Sequence, residues 1–192
     1  MLEEEYQVRR KLPAHLRPKA PEPEQFAYSV RAATAEDLPS IRAIYNHYVA
    51  NSTVTFDEKP MALRELRSKF AHVQKLGFPF IVAQSPSGEI LGFAYVYPWK
   101  EKAAYRFTVE NSIYLGPAAT GKGLGYALMD ELILRSKAAG IKEIVAVIAD
   151  RGAEGSIRLH EKFGFTEIGR MGRVGFKFGR WLGTILMQKS LK

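Results

Sequence analysis

A glycine-rich connection between a strand-like and a helix-like segment constrains the fold of this chain more than any other feature. Residues 109–115 form a run with β-branched and aromatic side chains that favours a strand, and a helical period of apolar residues begins at Leu124. Between these segments three glycines flank Lys122 at alternate positions, Gly121, Gly123 and Gly125. Glycine permits sharp turns and close backbone approach, and a helix N-terminus offers free N–H groups. The connection therefore predicts a phosphate- or pyrophosphate-binding loop, with an ordinary tight turn as the alternative.

Composition limits the chemistry that the chain can perform. Its 192 residues suffice for one domain with a substantial core, and 46% hydrophobic with 25% charged residues is typical of a globular protein. The chain has no cysteine, which excludes disulfides, thiolate metal sites and a cysteine nucleophile. The four histidines are scattered without metal-ligand spacing, so we expect no metal site.

Charge and hydropathy indicate the surroundings and the partners of the chain. No apolar run reaches the length of a membrane span, and the acidic start Met-Leu-Glu-Glu-Glu lacks the layout of a secretory signal, so we expect a cytoplasmic protein without membrane contact. The net charge is +8, and residues 1–24 carry five basic and five acidic side chains, so the excess belongs to the remainder. This excess suits a phosphorylated cofactor. Because no long Lys/Arg run or aromatic RNA-binding signature is present, we expect no nucleic-acid partner.

The chain divides into an arm and one domain. Residues 1–27 hold four prolines and little periodicity, which predicts an N-terminal proline-rich arm, and residues 28–192 are predicted to form the domain. Hydrophobic periods and turn signals predict strands over 28–31, 78–84, 90–97, 104–115, 141–149, 165–174 and 182–189. Helices are predicted over 34–51, 60–77, 124–140 and 156–163, and a loop over 175–181 joins the last two strands.

This order of elements predicts a single mixed α/β domain in which hairpins come first and strand–helix–strand units follow. It differs from a doubly wound dinucleotide fold, because the glycine loop follows the fourth strand and not the first. It also differs from a P-loop NTPase, because Gly121-Lys122-Gly123 lacks the Gly-Lys-Ser/Thr ending.

In this setting the glycine loop resembles that of the GNAT superfamily of acyl-CoA-dependent N-acetyltransferases. The superfamily signature, Arg/Gln-x-x-Gly-x-Gly/Ala at the head of the helix after strand four, is similar to residues 120–125, and the element order matches over residues 28–190. Other stretches resemble the phosphinothricin and methionine sulfoximine N-acetyltransferase group, namely 44–49, 53–56, 105–114, 156–165 and 175–182. Three departures stand out: Thr120 replaces the usual Arg/Gln, residues 151–155 lack an Asn that often contacts CoA, and Gly183 stands where the group often has Asp.

The resemblance implies a GNAT-like domain, with a central, mostly antiparallel sheet, one parallel pair at the cofactor cleft and helices on both faces. It implies acetyl-CoA as cofactor, with the pyrophosphate bound by backbone N–H groups of the glycine loop and by the charge of Lys122. The N–H of Leu115 is implied to polarise the thioester carbonyl. The implied cofactor-binding residues are Ile113, Tyr114, Leu115, Thr120, Gly121, Lys122, Gly123, Leu124, Gly125, Ser156 and His160.

Glu110 is the candidate general base. An amine attacks only when neutral, and a free α-amino group with a pKa of about 8 is roughly one-tenth neutral at pH 7. A carboxylate near the end of a mostly apolar strand is costly unless it is used or paired. The resemblance favours the base role for Glu110, and an ion pair with Arg106 is the alternative.

His160 is the candidate general acid for the leaving thiolate. The superfamily often places a tyrosine at this position, and a histidine can also donate a proton near neutral pH. The alternative is a half-buried helix histidine that makes one hydrogen bond.

The acceptor amine is expected to contact three segments. The Arg106 guanidinium suits a carboxylate, and the resemblance places it and Tyr105 toward an amino-acid substrate, although Arg106 could instead pair with Glu110 or lie in solvent. The loop after the first helix is expected to cover the substrate through Asn46, Thr55 and Phe56, or else Phe56 closes the core. Lys177 and Phe178 are expected to form another wall of the site or part of a dimer contact.

Together these features predict direct acetyl transfer to the primary amine of an amino acid or analogue, without a metal or a covalent enzyme intermediate. A protein N-terminus, a polyamine or an aminoglycoside is an alternative acceptor, and a non-catalytic acyl-CoA sensor is an alternative of a different class. The resemblance also implies a homodimer.

Overall fold

The computed structural model describes residues 26–192, so the predicted arm lies outside the described residues except for Phe26 and Ala27. The first half of the domain packs two helices against hairpin strands. Its elements are β1 (Ser29–Ala32), α1 (Leu38–Asn51), α2 (Leu63–Lys75), β2 (Phe80–Gln84), β3 (Ile90–Pro98) and β4 (Thr108–Leu115). The second half comprises α3 (Leu124–Ala138), β5 (Glu143–Ala149), α4 (Glu154–Lys162), β6 (Thr166–Lys177) and β7 (Arg180–Ser190). Both the element order and the single mixed α/β domain predicted from the sequence are confirmed.

All seven strands form one sheet in the order β1-β2-β3-β4-β5-β7-β6. Every neighbouring pair is antiparallel except β4 and β5, which are parallel. The expected parallel pair therefore lies in the middle of the sheet. Among the helices of residues 26–192, none is long and apolar enough to cross a membrane.

Helices cover both faces of the sheet, as predicted. On one face the α3 side chains Leu124, Leu128 and Leu132 pack against alternate apolar residues of β3, β5 and β7. On the other face α1 and α2 pack against the remaining residues of β2 and β3, among them Phe80 and Phe93. This burial provides the main stabilisation of the domain, because each fully buried large apolar side chain contributes about 1.5–3 kcal/mol.

The start of the fourth strand was predicted wrongly. A short 3-10 turn occupies Ala103–Tyr105, and β4 begins only at Thr108. The N–H of Tyr105 donates to the Lys102 carbonyl and the N–H of Arg106 donates to the Ala103 carbonyl, at 2.9 and 3.1 Å. These local bonds take the backbone groups that a strand would offer to its neighbours, so Tyr105 and Arg106 lie in a connection and not in the sheet.

The predicted loop over 175–181 was also wrong. The strands β6 and β7 run on until only Phe178 and Gly179 remain between them. Both residues have positive φ, 50° and 73°, which matches the two-residue turn that suits the twist of a hairpin. Gly175 is not a turn residue: a Cβ added there would lie 2.5 Å from the Phe56 ring, so this glycine serves packing.

Candidate active site

A cleft opens where β4 and β5 separate. The two strands pair only from Thr108 opposite Glu143 to Glu110 opposite Val145, although both continue beyond these residues. The cleft encloses about 520 Å³ and is lined by the diverging strands, the glycine loop and the N-terminal half of α4. The fold thus places the predicted catalytic and cofactor-binding segments around one cavity.

The diverging part of β4 presents unpaired backbone groups to this cleft. The Gly116 N–H donates to the Leu91 carbonyl of β3 at 2.7 Å, so the alternate residues Ile113 and Leu115 direct their backbone groups away from β3. On that side β5 no longer pairs with β4. The Leu115 carbonyl accepts a hydrogen bond from the Tyr48 hydroxyl at 2.7 Å. The N–H groups of Ile113 and Leu115 therefore face the cleft, as the predicted role of Leu115 requires.

The glycine loop offers a second set of donors. Gly121 and Gly123 have φ of 74° and 80°, a conformation that glycine adopts without strain. In the described part of the chain, no backbone carbonyl accepts a hydrogen bond from the N–H groups of residues 120–125. Because this loop leads into the positive end of the α3 dipole, it has the chemistry of an anion site.

Two polar side chains of the glycine loop have partners within the described residues. The Lys122 ammonium lies 4.3 Å from the centre of the Phe26 ring, and Lys122 does not line the cleft. The Thr120 hydroxyl donates to the Pro117 carbonyl within its own loop, at 3.3 Å. Anion binding by this loop would therefore rely on the backbone.

Glu110 is the last residue of β4 that pairs with β5, and it lies opposite Tyr97 of β3. Burial raises the pKa of Glu110, and the ammonium groups of Lys69 and Lys100 partly oppose this shift. Among residues 26–192 no cation lies within ion-pairing distance of its carboxylate. A half-buried carboxylate without a partner and with a raised pKa is suited to accepting a proton near neutral pH.

Arg106 is not the partner of Glu110, which answers one alternative that the sequence left open. Its guanidinium donates to the Ala103 carbonyl at 3.2 Å and lies 4.5 Å from the centre of the Phe107 ring. Arg106 and Tyr105 line a second, larger groove of about 940 Å³ between α2 and the β3–β4 connection. Neither residue lines the cleft between β4 and β5.

His160 is almost fully buried in the wall of the cleft, with 4% of its surface exposed. Its Nδ1 lies 2.8 Å from the Ser156 carbonyl oxygen, and its Nε2 lies 2.9 Å from the side-chain nitrogen of Asn111. Burial lowers the pKa of His160, and the bond with Ser156 opposes this in part. The geometry thus resembles the alternative of a structural histidine, although with two hydrogen bonds and deeper burial than expected.

The loop between α1 and α2 is fixed by polar contacts below its surface. The Tyr45 hydroxyl donates to the Asp57 carboxylate at 2.5 Å and lies 3.1 Å from the Thr55 hydroxyl. The Lys177 ammonium, in a residue only 1% exposed, donates to the Thr55 carbonyl at 2.8 Å. Asn46 exchanges two hydrogen bonds with the backbone of Met61. Asn46, Thr55 and Lys177 therefore hold the loop in place, whereas Phe178 is exposed.

Four residues near the site were missed from the sequence: Tyr48, Lys69, Lys100 and Asn111. Tyr48 and Asn111 lie in the stretches 44–49 and 105–114, which resemble the acetyltransferase group, and the sequence assigned neither a role. Lys69 approaches the Tyr95 and Tyr97 rings at 5.4 and 5.6 Å, which brings it to the Glu110 face of the sheet. No spacing rule links a helix lysine to a strand carboxylate 41 positions away in the chain.

Comparison with known proteins agrees with this geometry. The family model for the acetyltransferase (GNAT) domain matches residues 30–186. The phosphinothricin N-acetyltransferase of Alcaligenes faecalis is 41% identical over 165 residues, covering 86% of this chain and 83% of the relative. A Pseudomonas aeruginosa L-methionine sulfoximine/L-methionine sulfone acetyltransferase is 42% identical over 163 residues, covering 85% and 94%.

This chain belongs to the GNAT acetyltransferase family. A phosphinothricin acetyltransferase of Sinorhizobium meliloti, solved in complex with acetyl-CoA, superposes with a TM-score of 0.81 at 43% identity, covering 85% of this chain and 88% of that one. The protein is accordingly an acyltransferase, and acetyl-CoA is the cofactor of its family.

The cleft of this GNAT domain fits such a cofactor. Acetyl-CoA carries a pyrophosphate and a flexible arm with two amides. The free N–H groups of residues 120–125 suit the pyrophosphate, and the unpaired backbone groups of Ile113 and Leu115 suit the amides. Ile113 and Leu115 line one cavity together with Thr120, Gly121 and Gly125 of the loop, so the residues present are compatible with the group.

Proposed function

We propose that this protein transfers the acetyl group of acetyl-CoA to the primary amine of an amino acid or amino-acid analogue of the phosphinothricin or methionine sulfoximine type, in the cytoplasm and by direct transfer. The observation that carries the proposal is the Glu110 carboxylate, which has no ion-pair partner among residues 26–192 and lies where β4 and β5 separate. The identity of the relatives supports the choice of acceptor, because two of them are named for these substrates.

Glu110 prepares the acceptor for attack. Bound acetyl-CoA supplies the acetyl group as a reactive thioester. Glu110 takes a proton from the acceptor ammonium, since a carboxylate with a raised pKa is a better match for this proton than an ordinary one. The Leu115 N–H, directed into the cleft, stabilises negative charge that develops on a carbonyl oxygen there.

The acceptor reaches Glu110 from the face of the sheet that carries α1 and α2. Lys69 and Lys100 place two positive charges near Glu110 on this face, and they suit an acceptor that carries its own carboxylate. The same charges oppose a polyamine acceptor. Thr55 covers this side in the proposal, held by its buried contact with Lys177, whereas Phe56 packs against the core on the α3 side.

A panel of amines tests the proposal through release of the CoA thiol. We expect release with phosphinothricin, methionine sulfoximine, methionine sulfone or a natural amino acid, and little with a polyamine, an aminoglycoside or a peptide N-terminus. The matched control is Glu110→Gln, which should bind acetyl-CoA normally while kcat/KM falls at least 100-fold. Thiol release that is fastest with a polyamine would overturn the choice of acceptor. Normal acetyl-CoA binding without release from any amine would indicate a sensor instead.

The proposal includes a homodimer. Large apolar side chains on the β6–β7 hairpin are exposed, although such residues are usually covered when they occur together. They are Ile168, Met171, Val174, Phe176, Phe178 and Trp181. Light scattering after size-exclusion chromatography should give twice the monomer mass of 21.6 kDa. Replacement of Phe176 and Trp181 by serine should then give a monomer.

A further inference from the structure

Asn111 and His160 form a buried polar contact at the start of the cleft. Asn111 directly follows the last residue of β4 that pairs with β5, and it is 7% exposed. Its side-chain nitrogen lies 2.9 Å from His160 Nε2, while His160 Nδ1 lies 2.8 Å from the Ser156 carbonyl. Beyond Glu110, β4 no longer pairs with β5. There the contacts from Asn111 through His160 to Ser156 connect β4 with α4 instead.

The partners of the imidazole define its protonation state. A carbonyl oxygen only accepts, so the proton of the ring must be on Nδ1, where it is donated to Ser156. The amide nitrogen of Asn111 only donates, so Nε2 must offer its lone pair. Both hydrogen bonds are satisfied only by the neutral ring with the proton on Nδ1.

The surroundings also disfavour the charged ring. The Glu110 side chain lies on the face of the sheet opposite His160, and residues 144–149 of β5, beside the cleft, are all apolar. The Phe165 ring packs edge-on against the imidazole, with 4.8 Å between the ring centres. The charged side chains of α4 near His160, those of Arg158 and Glu161, belong to exposed residues. Within residues 26–192 no carboxylate forms an ion pair with the imidazole. Burial accordingly lowers the pKa of His160.

We propose that Asn111 is a positioning residue that keeps His160 neutral, with its proton on Nδ1, throughout turnover, so that His160 joins β4 to α4 and is not the acid for the leaving group. The orientation of Asn111 carries this assignment. A charged ring would need an acceptor at Nε2, which requires the amide to turn so that its oxygen replaces its nitrogen. In the observed orientation the amide nitrogen faces Nε2, and the amide oxygen is buried without a hydrogen-bond partner among residues 26–192.

The consequence for the site is geometric. Ser156 and Leu159 of α4 line the cleft, and the contact through His160 fixes their distance from β4. A neutral ring also adds no positive charge to this wall. This inference goes beyond the proposed function and depends on it only for the kinetic readout.

Nitrogen NMR of the wild-type protein tests the protonation state directly, with and without CoA. The spectrum of His160→Gln assigns the signals of His160 among the four histidines. We expect a protonated Nδ1 and an unprotonated Nε2 at neutral pH in both states, because burial lowers the pKa of His160. A doubly protonated ring at pH 6.5, or a proton on Nε2 in the CoA complex, would overturn the proposal. This readout needs no acceptor, so it remains decisive if no amine proves to be a substrate.

The variant Asn111→Asp tests the functional part, because a carboxylate beside Nε2 stabilises the charged ring. We expect a doubly protonated His160 at pH 7 and a kcat at least tenfold lower than that of the wild type. A charged ring with wild-type kcat would show that neutrality is not needed and would overturn the proposal. Ser136→Ala is the matched control, since Ser136 is a buried residue of α3 whose hydroxyl also has no hydrogen-bond partner in the described part of the chain. It should change neither readout.

Discussion

The side chains of Glu110 and Asn111 leave β4 on opposite faces of the sheet, at the point where β4 and β5 separate. Glu110 points to the face of α1 and α2, where Tyr97 lies opposite it, and Asn111 points to the face of α4, where it contacts His160. The two residues predicted to be catalytic, Glu110 and His160, are therefore separated by the plane of the sheet. Glu110 on one face and the Asn111–His160 contact on the other flank the cleft, which is the place of the thioester in the proposed reaction.

The pH dependence of the reaction should report the pKa of Glu110. The base must be deprotonated, so kcat/KM should fall as the pH drops through the pKa of Glu110, which burial raises above that of an ordinary glutamate. The Lys69 ammonium favours the carboxylate and lowers this pKa, so Lys69→Met should move the acidic limb of the profile to higher pH. Lys75→Met, at the exposed end of α2, is the control and should leave the limb in place. A shift to lower pH in Lys69→Met would contradict the electrostatic argument.

Binding of acetyl-CoA should depend on the backbone of the glycine loop. Gly123→Asp combines a strained positive φ with a negative charge at the proposed pyrophosphate position, so calorimetry should show at least 100-fold weaker binding. Gly140→Asp provides a matched control, because Gly140 has nearly the same φ, 81°, but lies at the far end of α3. It should leave the affinity within twofold of wild type. Equal losses in both variants would assign the effect to strain alone.

The domain should lose stability in acid through Asp37. Its carboxylate accepts two hydrogen bonds from Arg31, at 2.7 and 2.8 Å, and the Arg31 guanidinium lowers the pKa of Asp37. A lowered pKa in the folded state means that the stabilisation is present above the unfolded pKa, about 3.9, and is lost as the pH falls through the folded pKa. Asp37→Asn should cost about 1–2 kcal/mol at pH 7, after allowance for the partial exposure of Arg31.

Thermal unfolding measures this contribution. At pH 7 the Tm of Asp37→Asn should be a few degrees below that of wild type, and the difference should shrink as the pH approaches 3. Glu167→Gln removes the exposed pair of Glu167 with Arg170 and should leave the Tm unchanged. A constant difference in Tm across this pH range would show that the effect of Asp37 is not electrostatic.

Sequence patterns predicted those elements whose structure depends on residues close together in the chain. The glycine loop, α3 and the order of elements follow from periods and turn signals within a few residues. The predicted start of β4 was wrong because an aromatic residue such as Tyr105 favours a strand, whereas hydrogen bonds to the Lys102 and Ala103 carbonyls form a 3-10 turn there.

The candidate site was predicted in part, and its missing residues depend on tertiary contacts. Glu110 was predicted because a carboxylate is unusual in a mostly apolar strand. The glycine loop was predicted because three glycines at alternate positions are unusual in an ordinary turn. The partner of His160 is Asn111, 49 residues earlier in the chain, and their contact exists only because α4 packs beside β4. Gly175 shows the same limit, because the ring that requires a glycine there belongs to Phe56.

The buried ammonium of Lys177 should affect the acceptor and not acetyl-CoA. It donates to the Thr55 carbonyl from a nearly fully buried position, and burial lowers the pKa of Lys177 while the Asp57 and Glu58 carboxylates oppose this shift. Lys177→Met keeps most of the apolar stem but removes the donor, which leaves the loop over the acceptor side less fixed. We expect KM for the acceptor to rise about tenfold, while calorimetry gives an unchanged Kd for acetyl-CoA. Lys142→Met, an exposed change between α3 and β5, is the control for charge. Equal weakening of both ligands by Lys177→Met would place Lys177 in the general stability of the domain and not in the acceptor site.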